Sequence, residues 1–98
     1  MAPIKVKLFD KGDILDEDFY IKRPIYGIFT TDSDGLYIDC EYLEIYSTGQ
    51  TMYELLKDVI SELCSSYRIY VGNPEDTMHP RALELEKKLL KHIGKREG

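Results

Sequence analysis

Histidine and cysteine are scarce in this chain, with two of each in 98 residues, and no apolar run approaches the ~18 residues that a membrane-spanning helix needs. Each scarcity removes a class of function. His79 and His92 stand far apart, with no cysteine or acidic spacing suited to zinc around them. His79 reads as part of the approach to a helix start, and His92 as a solvated residue near a helix C-terminus, where a partial positive charge is favoured. Cys40 and Cys64 could pair on count, but one falls in an expected strand and the other on the apolar face of an expected helix, so both are read as reduced core residues. There is no serine-histidine-acid order, no glycine-rich phosphate loop and no reactive-cysteine motif. Met1-Ala2-Pro3-Ile4-Lys5 leads directly into an apolar alternation without a signal region, so a cytoplasmic protein with no membrane segment is expected.

What is present is an ordinary globular composition, 43% hydrophobic and 32% charged. A chain this short buries roughly 60 to 65% of its unfolded surface, which allows one modest core. The net charge of −5 conceals an asymmetry. Residues 1–79 carry fifteen acidic and seven basic side chains, whereas residues 80–98 carry three acidic and six basic ones. An acidic body of that kind suits a basic partner, and only the tail is equipped to meet phosphate. The plainer reading of the same charge is solubility.

Ile4, Val6 and Leu8 alternate with Lys5, Lys7 and Phe9 as in a half-buried strand, and Asp10-Lys11-Gly12-Asp13 supplies a turn. Residues 14–23 have no clean period and fit either a short strand at Phe19–Lys22 or an ordered loop. After Pro24, Ile25–Thr31 and Leu36–Glu41 read as the arms of a hairpin turning at Asp32-Ser33-Asp34-Gly35, and Leu43–Tyr46 reads as a further short strand. Thr51-Met52-Tyr53-Glu54 is a capping box. Beyond it Leu55, Leu56, Val59, Ile60, Leu63, Cys64 and Tyr67 form an apolar stripe that must lie on the sheet. Arg68-Ile69-Tyr70-Val71 returns to a period of two and predicts a last strand, parallel to one neighbour and ended by Gly72-Asn73-Pro74. Pro80 then opens a second amphipathic helix of about fourteen residues, carrying Leu83, Leu85, Leu89, Leu90 and Ile93 and stopping before Gly94.

These readings predict an α+β fold: an antiparallel sheet of three to five strands with one helix on one face, in the order β-β-β-β-α-β, plus a C-terminal amphipathic helix. Residues 1–79 form the α/β body and residues 80–98 a helix and tail of the same unit.

The strand alternation gives the sheet two unlike faces. Ile38 and Cys40 face the helix, while Tyr26, Ile28, Tyr37 and Tyr46 fall on the opposite side with Asp39, Glu41 and Glu44 alongside. Grouped tyrosines on a sheet can stack single-stranded bases, but that needs basic neighbours, and the expected surroundings are acidic. A protein partner or a self-association surface made of Tyr26, Ile28, Tyr37, Asp39, Glu41 and Tyr46 is the better reading, with scattered surface tyrosine as the plain alternative. Asp32, Asp34 and Asp39 invite a metal, but the glutamate that closes a calcium loop is missing, since Leu43 stands there, and a β-turn is expected instead. Asp39 and Glu41 share a face by spacing and could serve a small metal-dependent nuclease. Arg81, Lys87, Lys88, Lys91, Lys95 and Arg96 could hold nucleic acid, or simply solvate a helix.

The stretch Ile25 to Val71 resembles the HicB-like antitoxin family, through the DxDG-type turn of Asp32, Asp34 and Gly35, through Tyr37, and through the helix entry Gly49, Thr51, Glu54 and Leu55. The resemblance implies a partial RNase H-like fold without catalytic carboxylates, and a non-enzymatic role with no cofactor. In that role the chain would bind and block a small basic RNA-cleaving toxin of the HicA type, and a homo-oligomer is expected. Full-length members add a DNA-binding domain. Here one helix follows Val71, too little for such a domain, so binding to an operator is not expected. The family's glycine-proline segment in the second strand is replaced by Cys40-Glu41-Tyr42-Leu43.

Overall fold

A computed structural model describes residues 2–72 and 79–97. It has the α+β architecture expected from the sequence. Strands β1 (Ile4–Phe9), β3 (Ile25–Asp32), β4 (Gly35–Cys40) and β5 (Ile45–Gly49) form an antiparallel sheet in that order. Strands β2 (Phe19–Ile21) and β6 (Ile93–Lys95) form a separate antiparallel ribbon. Helices α1 (Met52–Tyr70) and α2 (Pro80–His92) complete the fold. Among the described residues no helix is long and apolar enough to cross a membrane.

Local chemistry sets the central hairpin. Asp32 pairs with Gly35, leaving Ser33 and Asp34 as the turn. The Asp32 carboxylate accepts from the backbone N–H groups of Asp34 at 2.8 Å and Gly35 at 3.2 Å, and from the Tyr37 hydroxyl at 3.1 Å. The capping box also forms: Thr51 Oγ1 accepts from the Glu54 N–H at 3.1 Å. Glu54 reaches back one residue further than the usual box, to the N–H of Gln50 at 2.9 Å.

α1 packs chiefly on β5, and also against α2 and β4. Leu55, Val59 and Leu63 are buried against Ile38, Cys40 and Ile45 in a single core, each worth about 2 kcal/mol in area removed from water. The same core takes in Leu85 and Leu89 from α2 and Ile93 from β6. Cys40 and Cys64 are free thiols buried in it.

The sequence expectations need correction at three places. Arg68-Ile69-Tyr70 continues α1 and is not a strand. A four-residue alternation there also extends the helical stripe of Leu63, Tyr67 and Tyr70, and nothing before Gly72 breaks it. The last strand is therefore Ile93–Lys95, which runs antiparallel to β2 and takes Ile93 out of the second helix. The remainder of the turn expected at Asn73 and Pro74 lies outside the described residues. Thirdly, Glu41–Leu43 is a 3-10 turn, and the strand expected from Leu43 begins at Ile45. Leu43 is fully buried there, so the chain leaves the ladder to seat it and returns through Glu44 in the left-handed region at φ 56.

The molecule measures 42 × 31 × 18 Å, and its short axis is about what one helix layer on one sheet layer fills. Among the described residues, the second face of the four-stranded sheet carries no layer of its own.

Candidate interaction face

Strand pairing decides which side chains share that open face. Lys5 pairs with Ile28, Ile28 with Asp39 and Asp39 with Tyr46, so these four form one row across all four strands. Thr30, Tyr37 and Thr48 form the next row, and Lys7 with Tyr26 the row on the other side. Paired residues lie on the same side of a sheet. The structure thus brings together five of the six expected residues: Tyr26, Ile28, Tyr37, Asp39 and Tyr46. Tyr26 is 48% exposed, Ile28 40% and Tyr46 59%.

Glu41 is not one of the set. It opens the 3-10 turn, so the strand alternation that should have placed it beside Asp39 has already ended at Cys40. Glu44 is also diverted: its carboxylate accepts from Arg81 Nε at 2.9 Å and from Nη2 of the same guanidinium, which ties it to α2. Glu41 thus leaves the strand alternation from which its shared face with Asp39 was expected. Among the described residues no group of three or more His, Cys, Asp or Glu side chains is placed to hold a metal ion.

What the sequence reading missed on this face is its basic edge. β1 contributes Lys5, whose ammonium stands 5.2 Å from the centroid of the Tyr26 ring, and Lys7, which is paired with Asp10 at 3.0 Å. Lys5 and Lys7 were visible as alternating residues, but the strand they would join was not. The face is graded, with lysines at the β1 edge and Asp39 towards β4, where Asp32 and Asp34 hold the hairpin tip.

The aromatic side of the face is partly ordered in advance. Tyr37 and Tyr46 stack with centroids 6.4 Å apart at 26°. Partial desolvation, the bond to Asp32 and the nearby charge of Asp34 hold the Tyr37 hydroxyl above its usual titration range, so it stays a donor to Asp32.

The basic residues of the tail do not form one surface. Arg81 is held by Glu44, Lys88 sits over the Tyr42 ring at 4.9 Å, and an Arg96 nitrogen donates to the Asp16 carbonyl at 3.3 Å. Lys87 and Lys91 are exposed on α2, and Lys95 lies in β6. His79 caps α2, its Nδ1 accepting from the Arg81 N–H at 3.1 Å. Compared with protein-family models, curated proteins and solved structures, the chain matches none.

Proposed function

We propose that this chain is a non-enzymatic interaction module of the HicB-like antitoxin kind, which docks a small basic protein on the open face of its sheet. The observation that carries the reading is the exposed set of Tyr26, Ile28 and Tyr46 around Asp39, on a sheet face that neither described helix covers. Tyrosine is favoured in the buried centres of interfaces because it supplies large contact area at little entropy cost. Asp39 and the hairpin carboxylates Asp32 and Asp34 give a basic partner its electrostatic approach, in keeping with the acidic balance of residues 1–79.

The test is titration of the purified chain with a HicA-type toxin encoded in the adjacent reading frame, reading both affinity and RNA cleavage. Binding should suppress cleavage, and Tyr46→Ala and Asp39→Lys should each weaken it by roughly tenfold or more. A toxin that cleaves undiminished in excess of the chain would overturn the proposal.

A further inference from the structure

We infer that the same open face pairs with a second copy of this chain, with Ile28 of each copy on the two-fold axis and Lys5 of one set against Asp39 of the other. The inference rests on the reading of this face as a docking surface and adds a partner of defined geometry.

Lys5, Ile28 and Asp39 are consecutive members of one row, so the two opposite charges flank an exposed isoleucine. At ~4.8 Å between strands their Cα atoms lie about 10 Å apart, and neither forms a salt bridge among the described residues. A two-fold axis lying in the plane of the face, parallel to the strands and passing over β3, keeps every residue in its row while reversing the strand order. β1 of one copy then covers β4 of the other, and β3 covers β3. Lys5 meets Asp39 twice, Ile28 meets Ile28, and Tyr26 meets Tyr26. Face-to-face packing of two sheets with nearly aligned strands is the ordinary sandwich geometry.

The competing arrangements put like charges together. An in-plane axis perpendicular to the strands and passing over this row sets Lys5 on Lys5 and Asp39 on Asp39. Pairing two copies through the free edge of β1 in antiparallel register brings the Lys5 and Lys7 side chains of both copies alongside one another, and edge lysines are a common guard against such pairing. The other edge is closed differently, since the Thr48 N–H donates to Asp58 of α1 at 3.3 Å.

With the axis over β3 only β1, β3 and β4 overlap their counterparts. Three strands at ~4.8 Å with up to eight residues at ~3.4 Å give a footprint of at most about 400 Å² per copy, below what a stable specific interface buries. The dimer is accordingly weak and gives way to a tighter partner on the same surface.

Sedimentation equilibrium over a wide concentration range tests the inference. The parent chain should dimerise, and higher salt should weaken the dimer. Lys5→Glu and Asp39→Lys each create two like-charge contacts and should each weaken it about tenfold or more. An equimolar mixture of these two variants, and the double variant K5E/D39K, regain both opposite-charge contacts and should dimerise like the parent. A parent that stays monomeric at the highest concentrations overturns the inference, as does a dimer indifferent to both single changes or a mixture that fails to recover. Toxin binding is read separately: Lys5→Glu should dissociate the self-dimer and still bind the basic partner. A parent that dimerises without binding toxin therefore removes the proposed function alone, and one that binds toxin as a strict monomer removes the dimer alone.

Discussion

Gly49 lies so close to Leu55 that a Cβ on the glycine would stand 2.6 Å from the leucine's backbone nitrogen. The end of β5 and the first turn of α1 are in backbone contact, and only a residue without a side chain fits between them. Gly49→Ala should therefore cost about 3 kcal/mol, because the atom it meets belongs to backbone and not to a side chain that can rotate away. Urea denaturation checks this, and an unchanged midpoint would show that the strand and helix part easily.

Thr51, two residues on, should show a smaller and reversible effect. Thr51→Ala removes the acceptor for the Glu54 N–H and should lower stability by about 1 kcal/mol, while Thr51→Ser should restore most of it. Thermal melts of the two variants separate capping from packing.

Ser47 offers the opposite sign. It is 1% exposed on the helix-facing side of β5, and its hydroxyl has no hydrogen-bond partner among the described residues. Burying an unpaired hydroxyl carries a desolvation penalty, so Ser47→Ala should raise stability by about 1 kcal/mol. A loss of stability in the same denaturation assay would mean that this hydroxyl is satisfied in solution.

Cys64 makes stability depend on alkaline pH. Burial first, and then its bond to the Asp16 carboxylate, push its thiol up to about 12. An unfolded thiol titrates near ~8.5, so between that value and about 12 only the unfolded chain releases the proton. The contribution is complete below the unfolded value and declines as pH rises through this window. Burial raises the Cys40 thiol as well, so the readout is a difference: the decline from pH 8 upward should be shallower in Cys64→Ala than in the parent.

Which parts of the molecule could be read from the sequence follows from the range of the interactions involved. The Asp32 turn and the Thr51 cap are complete within a few residues, and both form as expected. The outer face was readable wherever alternation continued, which placed Tyr26, Ile28, Tyr37, Asp39 and Tyr46 on one side. It failed at Glu41 because the burial of Leu43, a demand of the core, ends the strand one residue early. Lys5 joins the face only through the pairing of β1 with β3, which no local pattern specifies. The same holds for β2 and β6: three residues each are too few to show a period, and Arg68 to Tyr70 fit strand and helix templates equally.

The β2–β6 ribbon also governs when the chain can fold. Lys22 donates to the carbonyl of Leu90 across 68 residues, and the Arg96 N–H donates to the Asp18 carbonyl at 2.6 Å. On the ribosome, Phe19 and Ile21 must wait through synthesis of the hairpin and both helices before their partners emerge. Such high contact order slows completion and leaves a near-finished sheet with its second ribbon unformed. The four-stranded sheet that carries the tyrosine face has all its strands, and the helix packed on it, synthesised before the last strand emerges.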